Sequence, residues 1–147
     1  SVKGAVSSVF SVGYTLALLP LGVALQLSSP KTIMAGGVLA WSALTVASPE
    51  AAHAGVPVLL ATRMGVGAAE AVVVPTVQTF VARWIPRPRR STALSLLSSC
   101  FSFGTISALV LAPRLVAAAG WPSVFHAFGL LGTGWVGVWL LTAKDTP

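Results

Sequence analysis

Cysteine, histidine and acidic residues are almost absent from this chain. Cys100 is its single cysteine, which excludes a disulfide framework and any Cys-based zinc or iron–sulfur site. His53 and His126 are the only histidines, so neither a metal nor a cofactor is expected. Three Asp+Glu and nine Lys+Arg bring charged residues to 8% of 147 positions, against roughly a quarter in soluble domains. Apolar residues reach 55% and the mean hydropathy is +0.87. So few charges cannot cover a soluble globule of this size, and the apolar surplus must face lipid. The formal charge of +6 invites a nucleic-acid reading, but that needs a basic face with interleaved aromatics. Here the basic residues fall between apolar runs, so no nucleic-acid partner is expected. P-loop, H-E-x-x-H, G-x-S-x-G and paired-Asp arrangements are also missing, and an enzyme is not expected. What remains is a membrane protein.

A helix crossing the hydrocarbon core needs about 20 mostly apolar residues. Polar or charged breaks divide the chain into five such stretches, at about 4–27, 32–48, 56–82, 91–119 and 121–142. They are continuous and rich in Ala and Leu, without the two-residue alternation of a membrane barrel. The fold class is therefore all-α and polytopic, with Ser48–Gly55 expected as a polar loop carrying His53. The entry into an apolar run at Gly4 and the exit at Ala143–Pro147 both read as cut ends of a longer polypeptide. Five spans place Lys31, Arg83, Arg87, Arg89, Arg90 and Lys144 on one side, against Lys3, Arg114 and Glu50 on the other. That asymmetry puts the Arg83–Arg90 loop on the cytoplasm-like side, where it anchors topology and meets lipid headgroups. Small residues four apart, Gly65/Ala69, Gly67/Ala71 and Gly104/Ala108/Ala112, predict close helix contacts. Pro20 and Pro75 fall inside spans and predict bends.

Two charges lie inside the third span. Arg63 and Glu70 cost at least ~2.5–3.5 kcal/mol each at that depth, so such residues face the protein interior or a water-filled path. Seven residues are nearly two helical turns, which puts both on one face about 10 Å apart along the axis. The planar fork of Arg63 matches phosphate or carboxylate oxygens, and Glu70 is a proton-accepting group near the midplane. The bland alternative has Arg63 snorkelling outward and Glu70 neutralised by another helix. Tyr14 and Gln78 are polar groups that line a pathway or bridge helices. His126, early in the fifth span, reads as a hydrogen-bonded structural histidine. Trp84, Trp121 and Trp139 fall near membrane interfaces.

The run Arg63, Gly67, Glu70 and Pro75, followed by Arg83-Trp84-Ile85-Pro86 and Arg90-Ser91, resembles the fourth helix and following loop of the major facilitator superfamily. The nearest pattern is its anion:cation symporter branch, which includes plant plastid phosphate transporters, sialin and vesicular glutamate transporters. That branch reads R-x-x-x-G-x-x-E-G-x-x-x-P, then R-W-x-P-P-x-E-R-S. Gly4, Ser8, Gly13 and Tyr14 are similar to its second helix. Gly22 and Lys31 match its first gating loop, while Gln26 replaces an acid, Ser29 a glycine, Arg89 a Glu and Ala71 a Gly. The resemblance implies helices two to six of twelve in the N-terminal half of a facilitator fold. It implies a secondary transporter of inorganic or organic, phosphate-like anions, coupled to a proton or sodium gradient by alternating access. In it Arg63 would meet the anion, Glu70 the coupling proton, and Gly22, Lys31, Arg83 and Arg90 would belong to gating loops. The partners implied are a small anion, a coupling cation, membrane lipid and the missing helices of the same polypeptide. A plastid membrane is compatible with the plant-like match. Two rival readings are a truncated, non-transporting membrane scaffold and a channel with passive conductance.

Overall fold

The computed structural model describes residues 2–144, with side chains from residue 4 onward; the Lys3 side chain, Ser1 and Asp145–Pro147 lie outside the described residues. Among the described residues every regular element is helical. The helices are α1 (Val2–Leu27), α2 (Pro30–Ala54), α3 (Val56–Glu70), α4 (Val73–Trp84), α5 (Arg90–Ala119) and α6 (Pro122–Thr142). A 3-10 turn at Arg87–Arg89 precedes α5. Taken together, α3 and α4 form one apolar stretch, so five segments are long and apolar enough to cross a membrane.

Most hydroxyls inside these helices are satisfied locally, the buried Ser42 and Thr76 being exceptions. Ser11, Thr15, Thr62, Thr79, Ser99, Ser107 and Thr133 each donate to the carbonyl four residues earlier. In lipid, which offers no hydrogen bonds, this is the cheapest way to carry a hydroxyl.

The second helix runs on to Ala54, so the stretch predicted as a loop from Ser48 to Gly55 is mostly helical. Ser48, Pro49 and Ala51 are buried there; the segment packs, and packing outweighs its polar composition and the bond lost at Pro49. His53 consequently sits exposed on the last turn of α2. The chain then turns at Gly55, whose φ of 127° lies in a region that residues with a Cβ rarely adopt. Gly120, with φ 79°, turns α5 into α6 in the same way. Pro57 and Pro122 follow two residues after these glycines and start α3 and α6, where a missing N–H costs nothing.

The third span is broken at Ala71-Val72. Pro75 cannot donate to the carbonyl of Ala71, and its ring crowds that turn. On either side the ladder holds, with Ala71 N bonded to Gly67 O at 3.2 Å and Thr76 N to Val72 O at 3.2 Å. Pro20, in contrast, lies within an α1 that continues through it.

Glycines set the packing. A Cβ on Gly13 would strike the carbonyl of Met64, and one on Gly67 the carbonyl of Phe10. Each is a backbone-to-backbone approach that only a residue without a side chain permits. Between α2 and α3, Gly37 meets Val72 and Leu44 meets Gly65. Between α2 and α6, Gly129 meets Val46 and Gly132 meets Ser42. Rising numbers on one helix against falling numbers on the other make both pairs antiparallel. The order in space is α1, α3, α2, α6, with α5 loosely against α6 and the end of α4. Met34, Ala35, Val38, Val72 and Val136 form the buried cluster at the centre. No described residue of α5 is buried. Gly104 has open space where its Cβ would be, so the predicted small-residue seam does not close there. Ala108 and Ala112 instead line a cleft facing Phe128 of α6.

The ends agree with the charge pattern. Lys31 Nζ donates to Leu140 O at 2.8 Å, and Trp139 Nε1 donates to Lys31 O at 3.1 Å. Trp84, Ile85, Trp139 and Lys144 line one cleft. The starts of α2 and α5 and the ends of α4 and α6 therefore share one end of the bundle, the end that carries the basic residues. Trp139 is turned inward at that end, edge-on to Phe80 at 5.3 Å and stacked on Trp135 at 5.0 Å.

Candidate functional site

Arg63 and Glu70 occupy a single unbroken helix, α3. The 700° of rotation between them leaves them about 20° apart around the axis and about 10 Å apart along it. Both are half-buried. Neither belongs to a glycine seam: Gly67 faces α1, Gly65 and Ala69 face α2, and the Arg63–Glu70 stripe points between those directions on the wider side. The α2–α3 register, with Gly37 beside Val72 and Leu44 beside Gly65, sets Glu70 level with Leu39 and Arg63 level with Val46. The two charges thus flank the middle of α2.

Among the described residues neither charge forms an ion pair or hydrogen bond. The partner of Arg63 is an aromatic face. Its Cζ lies 5.3 Å from the ring centroid of Phe125, on the first turn of α6. Helical side chains lean toward the N-terminus of their helix, and the start of α3 is the end at which α6 also begins. Arg63 therefore reaches toward Phe125 instead of toward Glu70.

The remaining predicted residues are dispersed. Tyr14 is half-buried on α1 with its ring 6.4 Å from that of Phe10. Gln78 is exposed on α4, and Gly22 is exposed on α1 with nothing near it. Lys31 is held by α6 as described. Arg83 is exposed on the last turn of α4, where a positive charge complements the helix dipole. Arg90 closes the same helix end, its Nε donating to Ile85 O at 3.0 Å and its Nη2 to Ala82 O at 2.6 Å. His126 is exposed and makes no hydrogen bond among the described residues. It lies off the Gly129–Val136 face that packs on α2, so the bonded histidine predicted from sequence is not formed. The residue that sequence reasoning missed is Phe125; an aromatic in an apolar run carries no signal until its neighbour is known.

Residues 1–147 match the Major Facilitator Superfamily. The chain belongs to that superfamily. It is 36% identical over 144 residues to sodium-dependent phosphate transport protein 1, chloroplastic, of Arabidopsis thaliana, covering 98% of this chain and 28% of that protein. It is 36% identical over 144 residues, with 98% and 27% covered, to the chloroplastic ascorbate transporter of the same plant. The probable anion transporter 1, chloroplastic, of Oryza sativa subsp. japonica is equally similar, at 36% over 144 residues and 27% of its length. The chain thus spans little more than a quarter of these curated relatives. As a facilitator segment it is an integral, multi-pass membrane protein, and its all-α architecture follows.

Proposed function

We propose that this chain is part of a secondary active transporter for inorganic or organic anions, phosphate-like in charge and geometry, in a plastid membrane. The observation that carries the reading is the Arg63–Glu70 stripe: a cation and a carboxylate on one face of α3, neither consumed by an ion pair. An unpaired guanidinium keeps its fork of donors for a phosphate or carboxylate. A carboxylate two turns away, near the level of the bilayer centre, takes up and releases a proton as its surroundings change during alternating access. The names of the phosphate, ascorbate and anion transporters of similar sequence support an anionic substrate. Tyr14 and Gln78 are the proposed pathway-lining groups. The proposed gates are the α1–α2 junction at Ser28-Ser29, with Gly22 on the last turns of α1 and Lys31 on the first turn of α2, and the Arg83–Arg90 connection, which meet at one end of the bundle. A proton or a sodium ion is the proposed coupling cation.

Uptake of radiolabelled phosphate into proteoliposomes under an imposed proton or sodium gradient tests the reading. Glu70→Gln is expected to abolish gradient-driven accumulation while leaving membrane insertion intact, with passive exchange of phosphate retained. Unchanged proton- or sodium-driven accumulation by this variant would sink the coupling role of Glu70.

A further inference from the structure

A guanidinium in a lipid-facing bundle needs something to hold it, and the holder decides what the guanidinium can still do. A carboxylate would occupy two of its in-plane N–H donors and cancel its charge, leaving little to attract an anion. Phe125 does neither. Its ring lies 5.3 Å from Arg63 Cζ, within the roughly 6 Å over which a ring quadrupole attracts a cation. A neutral ring offers no oxygen acceptor and no countercharge, so it neither claims the N–H donors as a carboxylate would nor cancels the charge, and the fork stays available to an anion.

Phe125 is itself fixed from outside. Trp121 meets it edge-on, with centroids 5.8 Å apart and planes at 85°. Trp121 in turn lies 5.9 Å from the ring of His53 at the end of α2. A chain of rings thus runs from the α2 terminus through the α6 turn to Arg63. Gly129 and Gly132, which seat α6 against α2, set the position of the first turn of α6 and with it the ring.

We propose that Phe125 is a positioning residue for anion recognition: it holds the Arg63 guanidinium over its ring without supplying a competing acceptor, and so leaves the N–H donors to the substrate. The inference rests on the reading of Arg63 as the anion-binding group. Phe125 touches Arg63 and acts on the substrate only through it.

The test uses the complete transporter polypeptide in proteoliposomes, with inorganic phosphate as the probe and KM and kcat measured separately. Phenylalanines bearing one, two and three fluorines, incorporated at position 125, keep the ring's shape while draining its negative face. The expected result is a KM that climbs with each fluorine, by about five-fold in total for an interaction of this class, with kcat changed less than two-fold. Phe125→Tyr should retain most of the native KM, and Phe125→Leu should match the trifluoro ring. A KM that stays flat across the fluorine series overturns the proposal, because packing alone would then account for any defect of the Leu variant. Arg63→Gln separates the two layers of the argument. If it leaves the phosphate KM unchanged, the anion reading of Arg63 fails and the role of Phe125 falls with it. If it weakens or abolishes phosphate uptake while the fluorine series is flat, only the positioning role fails.

Discussion

Arg90 donates to two carbonyls at the end of α4, in a loop whose basic residues would by composition alone be assigned to headgroups. The chain leaves α4 at Ile85-Pro86, where Pro86 has no N–H to offer, and the freed carbonyls need a donor. The Arg90 guanidinium supplies it from the start of the next helix. Arg90→Ala is therefore expected to cost about 1–2 kcal/mol of folding stability, read as a lower thermal transition in detergent. Arg87→Ala, whose side chain is exposed, should leave the transition unmoved. Equal behaviour of the two would show that Arg90 serves only as surface charge. At this scale the sequence was legible where chemistry stands out against its background. Arg63 and Glu70 announce themselves as charges in an apolar run. Phe125 and the carbonyl partners of Arg90 do not, since Phe125 meets Arg63 across more than sixty positions of chain and every position has a carbonyl.

Helix boundaries followed two kinds of signal with different reach. Gly55 and Gly120 end helices through their own backbone freedom, so a local reading can find them. The extension of α2 through Ser48–Ala54 depends on burial of Ser48, Pro49 and Ala51, which no local pattern reports. Small-residue spacing was similarly ambiguous: it marked Gly67 and Gly104 alike, yet only Gly67 has a neighbour. Gly67→Val should push α1 off α3, because the Phe10 carbonyl occupies the space a Cβ needs; overpacking of this kind costs roughly 1–3 kcal/mol. Gly36→Ala, with open space beside it, should be neutral or slightly stabilising from helix propensity. Comparing thermal stability of the two variants in the same detergent decides whether the glycine seam holds α1 in place. A Gly67→Val protein as stable as Gly36→Ala would remove that seam from the account.

Across the whole molecule, the antiparallel register of α2 with α3 and α6 places the two ends of α2, and the loops beside them, on opposite sides. Single cysteines in a Cys100→Ala background test this directly, Cys100 being exposed on α5. A cysteine in place of Arg87 should react with an impermeant maleimide from the side of the basic loops only, and one in place of His53 from the opposite side only. Labelling of both from one side would refute the five-span arrangement. The sequence by itself determined the membrane class, the five segments long and apolar enough to cross, the gathering of basic residues at one end and the charged pair. Each of these is written in hydropathy, in charge or in a motif, and needs no partner to be read. The tertiary structure decided which glycines are seams, where α2 stops, and that Arg63 rests on a ring of α6 instead of on Glu70. Those outcomes are contacts between helices distant along the chain. The apolar surface that drives them is nearly uniform, so only the fit of particular backbones and side chains in three dimensions selects among them.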